Sequence, residues 1–76
     1  FMLLNWEAVG NTDLSHYRIF RRTGASGQFR MIADNITVVR YKDTQVRRGV
    51  VFHYYIVAVD QKGNESERSA VVKERY

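Results

Sequence analysis

Between Val51 and Val59 the chain sets Phe52, Tyr54, Ile56 and Ala58 at alternate positions and fills the gaps with His53, Tyr55, Val57 and Val59. Side chains alternate faces along a strand, so this stretch is apolar or aromatic on both sides. A strand of that kind belongs in the middle of a sheet, covered from two directions. The polar run Asp60 to Ser66 ends it with turn-forming residues, Gly63 and Asn64 among them. Phe52, Tyr54, Ile56 and Ala58 are expected to face the interior, and their odd-numbered neighbours to face away.

The rest of the chain repeats the period of two and nowhere sustains a helical period, which predicts an all-β fold. Leu4 and Trp6 alternate with Asn5 and Glu7 in a first strand near 2–7, and Gly10 to Asp13 is a loop. A second strand near 16–22 carries Tyr17 and Ile19 on its inward side. Gly24 and Gly27 permit the positive φ of a hairpin that returns through a short third strand, Phe29 to Ala33. After Asp34-Asn35 a fourth strand holds Val39 and Tyr41, a basic crossing runs from Gln45 to Gly49, and a last strand spans Ser69 to Arg75. Short strands with turn signals every eight to twelve residues or so suggest a sandwich or barrel.

Seventy-six residues make one small domain. A chain of this size buries only about 60% of the surface it exposes unfolded, which leaves little room for a large enclosed cavity. There is no cysteine, so neither a disulfide framework nor a thiolate metal site is available. Phe1-Met2-Leu3-Leu4 is too short for a membrane span, and no membrane insertion is expected. The net charge of +4 is spread over basic residues with acids between them. Nucleic-acid binding needs a concentrated stripe, so no nucleic acid is expected as partner.

Four pieces of the chain, in order and spacing, resemble a fibronectin type III domain. "LLNWEAV" is similar to the family's strand B with its buried tryptophan, here Trp6, and "DLSHYRIFRR" to strand C with Tyr17 and Ile19 inward. "YKDTQVRRGVVFHYYIVAVD" is similar to the stretch from strand E to strand F, with Val46 six positions before Phe52 and Gly49 at the turn. "AVDQKGNES" resembles the end of strand F and the following loop in modules attached to bacterial secreted enzymes. The resemblance implies an immunoglobulin-like antiparallel β-sandwich with strands B to G present and strand A missing, a single domain over 1–76 that is N-terminally incomplete. An immunoglobulin domain proper would want a cysteine pair and a tryptophan on strand C, and an OB-type barrel is the remaining alternative.

Two expectations follow from departures from the family pattern. The aromatic opening strand F is usually a tyrosine bonded back to the crossing from strand E. Phe52 stands there and lacks the hydroxyl, so packing alone is expected to hold that corner, with Phe52→Tyr neutral or mildly stabilising. Without strand A, the edge along residues 1–7 is open to pairing, and edge-strand self-association is expected there.

Alternation puts Arg18, Phe20, Arg22, His53, Tyr55 and Val57 on the outward face of strands C and F. An aromatic cluster fringed by arginine is the candidate contact surface; the plainer reading is cross-strand pairing that stabilises the sheet. Trp6 and Tyr54 are assigned to the core rather than to sugar stacking. His16 and His53 have no carboxylate or nucleophile at a suggestive spacing and are read as surface histidines. Asp60, Asn64 and Ser66 are oxygen donors of the type that holds calcium, but turn chemistry accounts for them better. Asn35-Ile36-Thr37 and Asn64-Glu65-Ser66 fit the glycosylation pattern, which matters only in a eukaryotic secretory pathway. No phosphate cradle, nucleophile elbow or carboxylate pair is present, so no catalytic residue, metal or cofactor is assigned and an enzyme is not expected. The resemblance implies a spacer or docking module in an extracellular or cell-surface protein, in contact with neighbouring domains or a protein partner; direct glycan or protein recognition is the alternative.

Overall fold

A computed structural model describes residues 1–8, 13–24 and 27–66, and the backbone of 72–75. The strands are β1 (Met2–Asn5), β2 (Leu14–Thr23), β3 (Arg30–Ile36), β4 (Arg40–Asp43), β5 (Val51–Asp60) and β6 (Val72–Arg75). They form two antiparallel sheets, one pairing β1 with β4 and one in the order β3-β2-β5-β6. There is no helix among the described residues. The expected sandwich is thus present, with the doubly apolar strand β5 between two neighbours. The expected loop at 10–12 and the start of the last strand, 69–71, lie outside the described residues.

Register decides which residues share a face. Tyr17 stands opposite Ala58, Ile19 opposite Ile56, and Arg21 opposite Tyr54. These form the inner face, onto which the smaller sheet brings Leu4, opposite Tyr41, and Met2, opposite Asp43. Leu4, Ile19, Phe52 and Tyr54 form the core, with Trp6, Tyr41, Val46 and Ile56 packed against it. Trp6 meets Tyr17 edge to face at 5.5 Å, as its assignment to the core requires.

Two bulges bend β3. Arg18 faces two residues, Asp34 and Asn35, because Tyr17 pairs with Ile36 and Ile19 with Ala33. Asn35 takes the left-handed conformation there (φ 57°), which asparagine tolerates better than most residues. Beyond Asp60 the expected turn is built around that carboxylate. It accepts from the Lys62 and Asn64 amides, both at 2.9 Å, and from Asn64 Nδ2 at 3.2 Å. Gly63 completes the reversal with φ of 85°.

The inward and outward assignment along β5 holds throughout, but beyond Tyr54 burial no longer follows it. Val57 and Val59 lie on the outer face, opposite Arg18 and His16, yet are only 5% and 1% exposed. Ile56 and Ala58, on the inner face, are half-buried. The smaller sheet pairs over just four residues of each strand and cannot cover the full length of β5. On the outer side Val57 stands opposite Arg18, whose guanidinium is ion-paired to Asp34 and Glu65.

Candidate functional site

The outer face of β2 and β5 divides into two halves of different character. In the first, Arg18 donates from Nε to Asp34 Oδ1 at 3.1 Å and from Nη1 to Glu65 Oε2 at 2.9 Å. This ties β2 to β3 and to the turn after β5. The Asn35 amide, Arg18 and His16 together hold the Asp34 carboxyl below the usual range. Val57, assigned to the contact surface from its parity, is only 5% exposed and presents almost no surface.

The second half is aromatic. Phe20 and Tyr55 are directly opposite in register, and their rings stack at 4.7 Å with 11° between planes. Phe29, just ahead of β3, closes on Tyr55 edge to face at 4.8 Å, and the Arg22 guanidinium sits 5.0 Å from the Phe29 ring centre. His53 is opposite Arg22 at the end of the row. Phe20, Arg22, His53 and Tyr55 are therefore brought together as expected, while Arg18 is engaged elsewhere. Phe29 is expected to open the third strand but has no face assigned there; β3 begins one residue later, at Arg30, and its register against β2 sets the side that Phe29 reaches.

Ring geometry limits what the cluster can do. Stacking a sugar uses a free aromatic face, and Phe20 and Tyr55 each spend one of their two faces on the other. All of the cluster residues are half-buried. The arrangement is aromatic at its centre with the Arg22 guanidinium at its rim, a composition enriched in protein contact surfaces.

His16 requires a correction. Its Nδ1 lies 2.9 Å from Ser15 Oγ and its Nε2 3.0 Å from Asp34 Oδ1, so a hydroxyl and a carboxylate are close to it, although Nε2 is not aligned for a hydrogen bond. Sequence spacing could not show this, because Asp34 arrives from the neighbouring strand. The trio does not have the electrostatics of a catalytic triad. The same Asp34 oxygen is also bonded by Arg18 and by the Asn35 amide, so little of its charge is left to polarise the imidazole. The group reads as a strand-to-strand polar tie.

The corner also departs from expectation. Tyr54, rather than the residue at position 52, carries a hydroxyl across the sandwich, donating to Asp43 Oδ2 at 2.7 Å. Arg21 Nη1 reaches both oxygens of Asp43 at 3.0 and 2.8 Å, and the Gln45 amide donates to Oδ1 at 3.1 Å. Packing alone does not hold the corner: Asp43, 2% exposed, is a polar pin between the sheets. Burial alone would push its carboxyl up, but the bonds from Arg21, Tyr54 and Gln45 outweigh that and hold it below the usual carboxylate range. Burial, then the bond to Asp43, pushes the Tyr54 phenol well above its ordinary value.

No protein-family model matches the chain. An amylopullulanase from Thermoanaerobacter thermohydrosulfuricus is 39% identical over 70 residues, covering 92% of this chain and 5% of that protein. One from Thermoanaerobacterium saccharolyticum is 43% identical over 53 residues, covering 70% of this chain and 4% of its own length. The chain therefore spans only a small part of these relatives. Among solved structures, an Fn3-like protein from Clostridium thermocellum superposes with a TM-score of 0.83 at 34% identity, covering 97% of this chain and 74% of that one. Strand order, inner-face residues and this match agree, and the chain belongs to the fibronectin type III-like family.

Proposed function

We propose that residues 1–76 form a non-catalytic accessory module of a larger, amylopullulanase-type extracellular or cell-surface enzyme, acting as a spacer or docking element against neighbouring domains. The observation that carries this is the match over 92% of this chain to 5% of such an enzyme. The Phe20–Tyr55–Phe29 cluster supports the docking role, since its rim of Arg22 and His53 surrounds a preorganised apolar centre. β1 pairs on one side with β4, and its other edge is where strand addition from a second chain is expected.

Direct glycan recognition by Arg18, Phe20, Arg22 and Tyr55 is the weaker reading, because the rings cover one another and Arg18 is ion-paired. The test is the 76-residue chain, with Phe20→Ala and Tyr55→Ala variants, measured for pullulan and amylopectin hydrolysis and for affinity to the same glucans. An accessory spacer hydrolyses neither and has no glucan affinity to lose. Affinity that falls tenfold or more in the variants, about 1.4 kcal/mol, would replace the spacer reading with the glycan one. Hydrolysis by the chain itself would overturn both.

A further inference from the structure

Arg21 and Arg30 stand directly opposite each other where β2 pairs with β3. Like charges in that relation repel across the strand pair. One of the two is compensated, since Arg21 commits Nη1 to Asp43. That carboxylate is then fully engaged, because it also accepts from Tyr54 and from the Gln45 amide. Arg30 is exposed and has no ion pair among the described residues. Both arginines line one open cavity of about 670 Å³ together with Thr23, Gln28, Gln45 and Arg22, the last of which sets its guanidinium over the Phe29 ring, and no Asp or Glu is among its described lining residues. A second cavity of about 410 Å³ shares Arg21, Thr23 and Gln45 and adds Arg47, which is also exposed and unpaired among the described residues.

We infer that this end of the sandwich is an oxyanion-binding cleft, in which Arg30 and Arg47, with Arg21 between them, hold a phosphate-type group. The chemistry selects that class. Two uncompensated guanidiniums favour an anion carrying more than one charge, and the planar guanidinium fork matches phosphate oxygens with paired N–H donors. Thr23, Gln28 and Gln45 add neutral donors of the kind that fill the remaining acceptor sites. The cleft is open to solvent and so admits a phosphate carried on a larger molecule, either a soluble phosphate ester or a phospholipid head group. The inference is independent of the accessory role, and its failure would leave that role standing.

The test titrates the 76-residue chain with inorganic pyrophosphate at fixed ionic strength, following backbone and arginine Nε resonances by NMR. Saturable shifts are expected at Thr23, Gln28, Gln45 and the three arginines. Arg30→Gln and Arg47→Gln should each raise Kd tenfold or more, whereas Arg40→Gln, an exposed change of equal charge on β4, should leave it within twofold. Equal weakening by Arg40→Gln and Arg30→Gln would reduce the effect to net charge and overturn the cleft, as would shifts that never saturate. A parallel arm with vesicles containing phosphatidic acid, whose phosphomonoester can carry a second charge, identifies the source: vesicle binding lost in Arg30→Gln supports the cleft with a lipid ligand. Vesicle binding that survives in that variant counts against it. Melting curves of all variants confirm that each is folded at the temperature used.

Discussion

The hydroxyl of Tyr54 on β5 donates to Asp43 on β4 at 2.7 Å, and this bond crosses from the larger sheet to the smaller one. The acceptor is charged and almost fully buried, the conditions under which a hydrogen bond contributes most. Tyr54→Phe keeps the ring and should cost about 1.5–3 kcal/mol, the range for a bond to a charged group. Asp43→Ala should cost more, about 3–5 kcal/mol, because it also strands Arg21 without its partner. In a double-mutant cycle of Tyr54→Phe with Asp43→Asn, followed by urea melts, non-additivity of at least about 0.5 kcal/mol is expected. Strict additivity would mean that the bond contributes nothing across the sheets.

The same pin sets a pH dependence with two limbs. The Asp43 carboxyl is held below its unfolded value of about 3.9. As pH falls the unfolded chain therefore takes up the proton first, so the stabilisation is present above about pH 4 and is lost as pH drops through the folded pKa. The Tyr54 phenol is held above its unfolded value of about 10, so its contribution is intact below that pH and is lost as pH rises through the folded pKa. Asp34 and Asp60 are also held low and share the acid limb. The part belonging to Asp43 is the difference between wild type and Asp43→Asn in unfolding free energy from pH 2 to 7, and that difference should shrink toward the acid end.

Phe52→Tyr remains expected to be neutral, or stabilising by up to about 1 kcal/mol, even though the inter-sheet bond is made at Tyr54. Phe52 is 3% exposed, but it lines the open cavity shared with Gln45 and Arg47. A hydroxyl placed there has polar neighbours within the same cavity and is not buried in hydrocarbon. Calorimetry of the variant decides it. A drop in Tm of roughly 8 °C, equivalent to 1–2 kcal/mol for a domain of this size, would mean that the ring edge points into the closed core instead.

How far the sequence reveals this architecture depends on how local the cause is. Alternation along β5 and β2 marks the inner face correctly at Tyr17, Ile19, Phe52 and Tyr54, because a pleated strand imposes the period on its own. Burial of Val57 and Val59 is not local. Val57 stands opposite Arg18, whose partners Asp34 and Glu65 only the folded register brings together, and Val59 is bridged by Glu65 of the returning turn. The polar pin did leave a trace. Arg21 has the same parity as Tyr17 and Ile19, and Asp43 the same parity as Tyr41, so two opposite charges sat at inward positions of different strands. An ion pair between the sheets is the simplest reading of that pattern. The aromatic cluster was legible for Phe20 and Tyr55; Phe29, at the head of the expected third strand, was not, because the bulged register that sets that strand's faces is not local.

Arg18 separates two explanations of why Val57 is dry. Its charged head bonds Asp34 and Glu65 near solvent, where ion pairs contribute little. Its aliphatic stem, by contrast, can shield apolar surface whatever the head does. Arg18→Met keeps an unbranched stem and discards the charge, while Arg18→Ala discards both. If the stem covers Val57, the methionine variant should melt close to wild type and the alanine variant clearly lower, and raising salt to about 1 M should leave the wild-type Tm almost unchanged. If instead the ion pairs hold the turn after β5 in place, methionine and alanine should be equally destabilising and salt should reproduce their effect. Hydrogen exchange at the Ser66 amide, which bonds the Ala58 carbonyl at 2.8 Å, reads the turn directly: it should stay protected in Arg18→Met under the first explanation and lose protection under the second.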